Sequence, residues 1–220
     1  MHLVVTGGNG FIGRRLCERA VGDGHEVTSV ARRGPPPESH RGSWAADVTW
    51  VAADVFSPDS WRDVLTGADC VVHSIGTISE TPDAGVTFER INGDSAIVAA
   101  LEAERAGAER FVYISSSARP PFVGEAYITA RRRAERAIAD LDVEVVVPRF
   151  GPVYGPDQPH FPAWANRLFT AVGRVEPIAR RFGDDRPFAV DRAAAATYRL
   201  ATMDDPPASP VGARTLADLA

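Results

Sequence analysis

The stretch His2-Leu3-Val4-Val5-Thr6-Gly7-Gly8-Asn9-Gly10-Phe11-Ile12-Gly13 begins with β-compatible apolar residues and runs into glycines at Gly7, Gly10 and Gly13. Beyond them Phe11, Ile12, Leu16, Cys17 and Ala20 recur at three- and four-residue steps, the period of a helix buried on one side. The stretch predicts a buried strand, a tight turn and a helix whose N-terminus faces the turn. Unpaired N–H groups and the positive helix end suit a pyrophosphate there, and glycine lets the backbone come close. Glycine suits any strand-to-helix turn, so the triplet gains its meaning from position: it stands where a dinucleotide fingerprint requires it. Gly7, Gly8, Asn9, Gly10, Phe11, Ile12 and Gly13 are expected to bind a dinucleotide cofactor.

Working outward, strands are expected at Glu26–Ala31, Val48–Ala52, Asp69–Ser74, Arg110–Ile114 and Val143–Arg149. Between them helices are expected from Ser57 (as N-cap, with Pro58 at the first helical position), over Phe88–Ala106 and over Tyr127–Leu141. The fourth strand is almost wholly apolar, as when helices cover both faces of a sheet. This alternation predicts an α/β fold, a doubly wound parallel sheet of the Rossmann type over residues 1–150. From Gly151 to Pro162 glycines and prolines break the pattern, and helices follow over about 162–172 and 190–201. Residues 151–220 are expected to form a small C-terminal substrate lobe packed on the sheet's C-terminal edge, too thin for a core of its own.

The chain has 220 residues, 45% hydrophobic and 24% charged, as in ordinary globular proteins. A net charge of −5 speaks against a general nucleic-acid binder. No apolar run reaches the roughly 20 residues that span a bilayer. Met1 leads directly into the first strand, so no signal peptide is expected, and with only Cys17 and Cys70 the expected location is cytoplasmic. Both cysteines read as small buried hydrophobes. All 24 basic residues are arginine, so no lysine can carry chemistry.

The end of the second strand bears on the choice of cofactor. An acidic residue about 20 positions after the glycines would bind the ribose hydroxyls of NAD, whereas arginine suits a 2′-phosphate. The position holds Ala31-Arg32-Arg33, which points to NADP(H), with NAD as the alternative if the arginines are merely solvated. Asp54, after the third strand, can accept a hydrogen bond from the adenine amino group, or can simply begin a helix. Ser74-Ile75-Gly76 closes the fourth strand, and Gly76 would let the nicotinamide ribose approach. His73, alone in an apolar strand, is expected to be a satisfied core residue rather than a base.

Three serines end the fifth strand, and ten residues beyond Ser117 comes Tyr127-Ile128-Thr129-Ala130-Arg131. Tyr127 and Arg131 are four apart and share a helix face. A fixed cation stabilises a neighbouring phenolate, and a serine hydroxyl beside it would help polarise a carbonyl. An amphipathic helix with a half-buried tyrosine and solvated arginines fits the same spacing.

The glycine stretch, the Tyr-x-x-x-basic helix and Arg149-Phe150-Gly151-Pro152-Val153-Tyr154-Gly155-Pro156 resemble the short-chain dehydrogenase/reductase superfamily, in its extended or atypical, epimerase/dehydratase-like branch. The stretches Val27–Gly34, Trp50–Phe56, Val71–Gly76 and Glu89–Ala96 resemble a subgroup. It contains the NAD(P)H-binding accessory subunit of respiratory complex I and the accessory protein of coenzyme Q synthesis. The resemblance implies that Gly7, Gly10 and Gly13 hold the pyrophosphate, Arg32 the 2′-phosphate and Asp54-Val55 the adenine. It makes Ser117 or Ser116 the catalytic serine and Tyr127 the catalytic tyrosine. Arg131 stands where the family has lysine. Arginine supplies charge and ribose hydrogen bonds but stays protonated, so it cannot pass a proton on.

Two functions follow as expectations. The first is an NADP(H)-dependent oxidoreductase, or epimerase, acting on a carbonyl, alcohol or sugar-like molecule through Ser117, Tyr127 and Arg131. The second is a non-catalytic NADP(H)-binding accessory or sensor protein for quinone synthesis or a respiratory complex. A homodimer contact through the two long helices is an analogy at the level of fold.

Overall fold

The computed structural model describes residues 1–120 and 123–220. Six parallel strands form the main sheet: β1 (His2–Thr6), β2 (Glu26–Ala31), β3 (Val48–Ala52), β4 (Cys70–His73), β5 (Arg110–Tyr113) and, skipping one short strand, β7 (Glu144–Val146). Their order is β3-β2-β1-β4-β5-β7. The chain starts in the middle, runs outward to β3, then returns to place β4 on the other side of β1. That reversal opens a crevice beyond the C-terminal ends of β1 and β4, where open α/β sheets bind ligands.

Alternation along β1 divides the core. Leu3 and Val5 face α1 (Gly13–Gly22), and Val4 faces α2 (Ser95–Ala106) and α3 (Glu125–Ile138) on the opposite side. Cys17 on α1 and Cys70 on β4 are fully buried, and burial pushes both thiols up to about 12. His73 is also fully buried. Ser95 Oγ gives its proton to the Ile91 carbonyl at 2.6 Å, so His73 Nε2 donates to Ser95 Oγ at 3.0 Å. Thr6 Oγ1 then donates to His73 Nδ1 at 2.8 Å. Both ring nitrogens are used, as expected of a core histidine.

Three expected elements take another form. Ser57 makes no side-chain cap, and the helix expected there is two 3₁₀ turns, Pro58–Ser60 and Arg62–Leu65. The helix expected over Phe88–Ala106 opens with a wide π turn, Glu89–Asp94, before α2 begins at Ser95. The expected sixth strand breaks at Val147-Pro148. Pro148 has no N–H to donate to a ladder, and its carbonyl accepts from Ser115 N at 2.9 Å. The chain there leaves the sheet, and β8 (Arg149–Phe150) pairs with β6 (Ser115–Ser116) instead.

After Gly151 come β9 (Val153–Tyr154), α4 (Ala163–Arg174), α5 (Glu176–Ala179) and β10 (Phe188–Ala189), which pairs with β9. Then α6 (Val190–Thr202) returns to the sheet and packs beside α1, with Ala193, Ala196 and Leu200 in the core of Leu3 and Val5. Arg110, at the start of β5, donates to the Leu200 and Met203 carbonyls at 3.1 and 2.7 Å and ties the end of α6 to the sheet. The last helix, α7 (Ala213–Asp218), lies against the same side, with Leu216 fully buried.

Candidate functional site

The turn after β1 is built around Gly7, whose φ of +82° suits glycine. Gly7 N donates to the Val30 carbonyl at 2.8 Å and Gly10 N to the Gly7 carbonyl at 2.9 Å. A Cβ at Gly13 would stand 2.3 Å from that same carbonyl, so α1 meets the turn closely only because residue 13 has no side chain. Ser74 Oγ donates to the Gly7 carbonyl at 3.0 Å and joins the β4 loop to the turn. Asn9 Nδ2 reaches the Gly34 carbonyl at 3.0 Å. Among the described residues the backbone N–H groups of Phe11, Ile12 and Gly13 find no acceptor in the chain. They are free donors at a helix N-terminus, in a hollow that a side chain would fill, and they fit a pyrophosphate.

At one end of the crevice, Arg32 and Arg33 line the wall just beyond β2. Both are exposed, and among the described residues neither has an ion-pair partner. Arg41 stands on the same wall, as do Asp54 and buried Val55 after β3. Asp54 Oδ1 accepts from Phe56 N at 3.0 Å, and its second carboxylate oxygen has no hydrogen-bond donor among the described residues.

Ile75, Gly76, the three serines, Tyr127 and Arg131 line the other part of the same crevice. Tyr127 is fixed edge-on against Phe88, ring centres 5.6 Å apart. The Arg131 guanidinium lies over the Tyr127 ring at 4.9 Å, so the expected shared face of α3 is present. Arg131 Nη1 donates to the Ile114 carbonyl at 2.9 Å. Burial opposes the Arg131 charge, but the Tyr127 and Tyr113 oxygens beside it outweigh that, and its pKa is raised. Gly76 makes room for this side chain, since a Cβ there would meet Arg131 Nη2 at 2.8 Å.

The serines differ in how far they are committed. Ser115 Oγ donates to Glu135 Oε1 at 2.6 Å, and Ser116 Oγ to the Ala118 carbonyl at 2.6 Å. Among the described residues Ser117 Oγ has only a long contact of 3.4 Å to the Phe150 carbonyl. It is the serine hydroxyl most available to a ligand.

Several residues around the crevice were not expected from sequence. Buried Asn92 clamps the loop after β4, accepting from Thr77 N at 2.8 Å and donating to the Thr77 carbonyl at 2.9 Å. The Asn92-Gly93 pair inside a helical pattern was the available signal, because both residues disfavour helix interiors. Arg132 Nη2 holds the Ser116 and Ser117 carbonyls at 2.8 Å each and pairs with Glu135 at 2.6 Å. Arg14 on α1 pairs at 3.2 Å with Asp157, and His40 approaches the same carboxylate at 3.5 Å, across the crevice mouth. No local pattern announces a pair 143 residues apart.

The crevice measures about 1190 Å³. That exceeds the roughly 300–1,000 Å³ of a pocket for one small molecule, leaving room for an extended ligand and a second one.

Over residues 3–175 the chain matches the NAD dependent epimerase/dehydratase family. It is 35% identical over 179 residues to MIOREX complex component 2 of Saccharomyces cerevisiae, covering 60% of this chain and 65% of that protein. It is 32% identical over 155 residues to ceramide reductase of Caulobacter vibrioides, covering 70% of this chain and 47% of that one. The chain thus spans between about half and two thirds of the length of these relatives. The structure of MoeE5 in complex with UDP-glucuronic acid and NAD superposes with a TM-score of 0.67 at 22% identity, covering 93% of this chain and 73% of that one. At that identity the likeness speaks for the fold. The family match runs through the sheet, the glycine turn and the tyrosine helix alike, and the chain belongs to the NAD dependent epimerase/dehydratase family.

Proposed function

We propose that this protein is an NADP(H)-dependent oxidoreductase that interconverts a carbonyl and an alcohol on a small molecule. The observation that carries the reading is the gathering of Ser117, Tyr127 and Arg131 in one crevice with the glycine turn, Arg32 and Arg33. Bound there, a nicotinamide dinucleotide would supply or accept the hydride. The free N–H groups at α1 would hold its pyrophosphate, Arg32 and Arg33 its 2′-phosphate, and Asp54 with Val55 its adenine. Ser74, Ile75 and Gly76 would border its other end. Tyr127 would hold the proton exchanged with the substrate oxygen, and Ser117 would donate a hydrogen bond to that oxygen. Arg131 supplies fixed charge beside Tyr127 and does not relay protons. The segment 151–187 would meet the substrate. The Caulobacter relative, a reductase by name, agrees with this chemistry.

A second reading, a non-catalytic NADP(H)-binding member of a larger assembly, is favoured by two observations. Arg131 takes the family's lysine position with its guanidinium bonded to the Ile114 carbonyl, and the yeast relative is by name a complex component.

The test is a fluorescence titration with NADPH and NADH, paired with a screen for turnover on carbonyl substrates. NADPH should bind more tightly, and Arg32→Ala should weaken NADPH alone by about 10- to 100-fold, the worth of a charge-assisted hydrogen bond. Equal affinity for the two would overturn the assignment of Arg32 to a 2′-phosphate. Tyr127→Phe should keep binding and abolish turnover. Turnover that survives this change removes the catalytic role of Tyr127, and tight binding without turnover in the wild type selects the second reading.

A further inference from the structure

Seven large apolar side chains are exposed among the described residues, and five of them fall in one stretch: Trp164, Leu168, Val175, Ile178 and Phe182, each 44–59% exposed. The stretch belongs to α4, α5 and the 3₁₀ turn Arg180–Asp185 that follows. Its orientation is fixed from the inner side of α4. Asn166 accepts from Gly155 N at 3.1 Å and donates to the Gly155 carbonyl at 2.9 Å. Tyr154 lies so close to Gly173 that a Cβ there would come within 2.4 Å of its ring. At about 100° per residue, Asn166 and Gly173 lie on one side of α4 and Trp164 and Leu168 on the other. Trp164 and Leu168 therefore cannot turn inward without breaking these contacts.

Charge follows the same segment. Over α4, α5 and the turn, residues 163–185, four arginines, Arg167, Arg174, Arg180 and Arg181, stand against three carboxylates, Glu176, Asp184 and Asp185, a small positive excess in a chain whose net charge is −5. Glu176 is already engaged by Arg180 at 3.0 Å and Arg186 at 2.8 Å. An anchored helix that pairs an apolar stripe carrying tryptophan with flanking arginines fits the boundary of an anionic lipid layer. Among the described residues no helix is long and apolar enough to cross a membrane. The segment is continuous with the crevice, because Phe161, Phe169 and Phe182 also line it.

We propose that the outer face of α4, α5 and the following turn seats on an anionic membrane surface, with the mouth of the crevice at the lipid boundary. This proposal does not depend on whether the crevice is catalytic.

The experiment is co-sedimentation of the full chain with vesicles of phosphatidylcholine alone and of phosphatidylcholine mixed with phosphatidylglycerol. The expected result is binding to the mixed vesicles that weakens as salt is raised. Trp164→Glu with Leu168→Glu should reduce the bound fraction at least about tenfold. Arg167→Glu with Arg174→Glu should weaken it by at least about tenfold, since a basic residue near such a surface contributes about fivefold. Far-UV circular dichroism of both variants reports their folding. In the wild type, vesicles should shift tryptophan emission to the blue, and Trp164→Phe should remove that shift. No binding to the mixed vesicles at low salt overturns the proposal. Binding that both double variants retain overturns it too. So does self-association in analytical ultracentrifugation that the Trp164/Leu168 variant abolishes, because the face would then belong to a second copy of the chain.

Discussion

His73 lies at the C-terminal end of β4 beside the crevice, yet its two nitrogens are spent on Thr6 and Ser95. Burial, and next the nearby Arg131 charge, hold its pKa down to about 3, against an ordinary histidine value of 6.5. Above about pH 6.5 the imidazole is neutral both folded and unfolded, and it adds no pH dependence. As pH falls from about 6.5 toward 3, only the unfolded chain takes up the proton. Stability is then lost at up to ~1.4 kcal/mol per pH unit. Urea midpoints between about pH 7 and pH 4 should fall more steeply for the wild type than for His73→Gln, which keeps a hydrogen-bonding side chain but cannot charge. Carboxylates titrate in both proteins, so the difference between the two slopes is the reading. Parallel slopes would mean that His73 is protonated as easily in the fold as out of it. Ser117 makes a complementary point at the same scale. Three consecutive serines look alike in sequence, and only their acceptors separate the structural Ser115 from the available Ser117.

The element on which the crevice depends is α1, and its two terminal glycines should answer substitution in opposite ways. A Cβ at Gly13 meets the Gly7 carbonyl at 2.3 Å and the Gly8 Cα at 2.8 Å, both backbone atoms that cannot rotate away. At Gly22 a Cβ meets nothing within 4 Å. Gly13→Ala should cost about 1–3 kcal/mol as overpacking and weaken dinucleotide binding by widening the turn. Gly22→Ala should leave binding unchanged and add up to about 1 kcal/mol through helix propensity and a less flexible unfolded chain. Urea unfolding and NADPH titration of the two variants measure this, and equal losses at both positions would refute the close-packing account of the turn. The turn and α1 were legible in sequence because glycine spacing and helical period are local. The helix expected from Ser57 was not, because Ser57 makes no cap and the segment settles into two 3₁₀ turns around buried Trp61. The Val143–Arg149 run reads as one strand by its valines, whereas Pro148 breaks the ladder and sends β8 to Ser115 and Ser116. Tyr127 and Arg131 were legible as a pair because helical spacing puts them together. Glu135 was not, because its partners Ser115 and Arg149 come from separate strands.

At the scale of the whole molecule, the last helices complete the sheet. Phe188, Leu200, Val211 and Leu216 are at most 2% exposed and share one core with Leu3, Val5 and Leu16. Burial of each such side chain is worth about 2–5 kcal/mol by truncation, against a total stability of about 5–15 kcal/mol for a domain. Their sum reaches the whole stability, so the sheet cannot do without the segment. Arg110 adds a polar lock, with its guanidinium on the ends of both β7 and α6 through Glu144 and the Leu200 and Met203 carbonyls. A chain ending at residue 187 keeps the glycine turn, the arginines and the tyrosine helix, but it leaves one face of the sheet open to water. That fragment should show no cooperative thermal or urea transition and should bind a hydrophobic dye that the full chain excludes. A sharp transition near the full-chain midpoint would mean that residues 1–187 hold their own core and that α6 and α7 merely rest on it. Arg110→Ala gives a milder form of the same test. It removes charge-assisted bonds far from the glycine turn, and should lower the unfolding midpoint while leaving NADPH affinity as it was. A fall in affinity of the same size would mean that α6 reaches the cofactor site through the sheet, and the single-core account would have to give way to a coupled one.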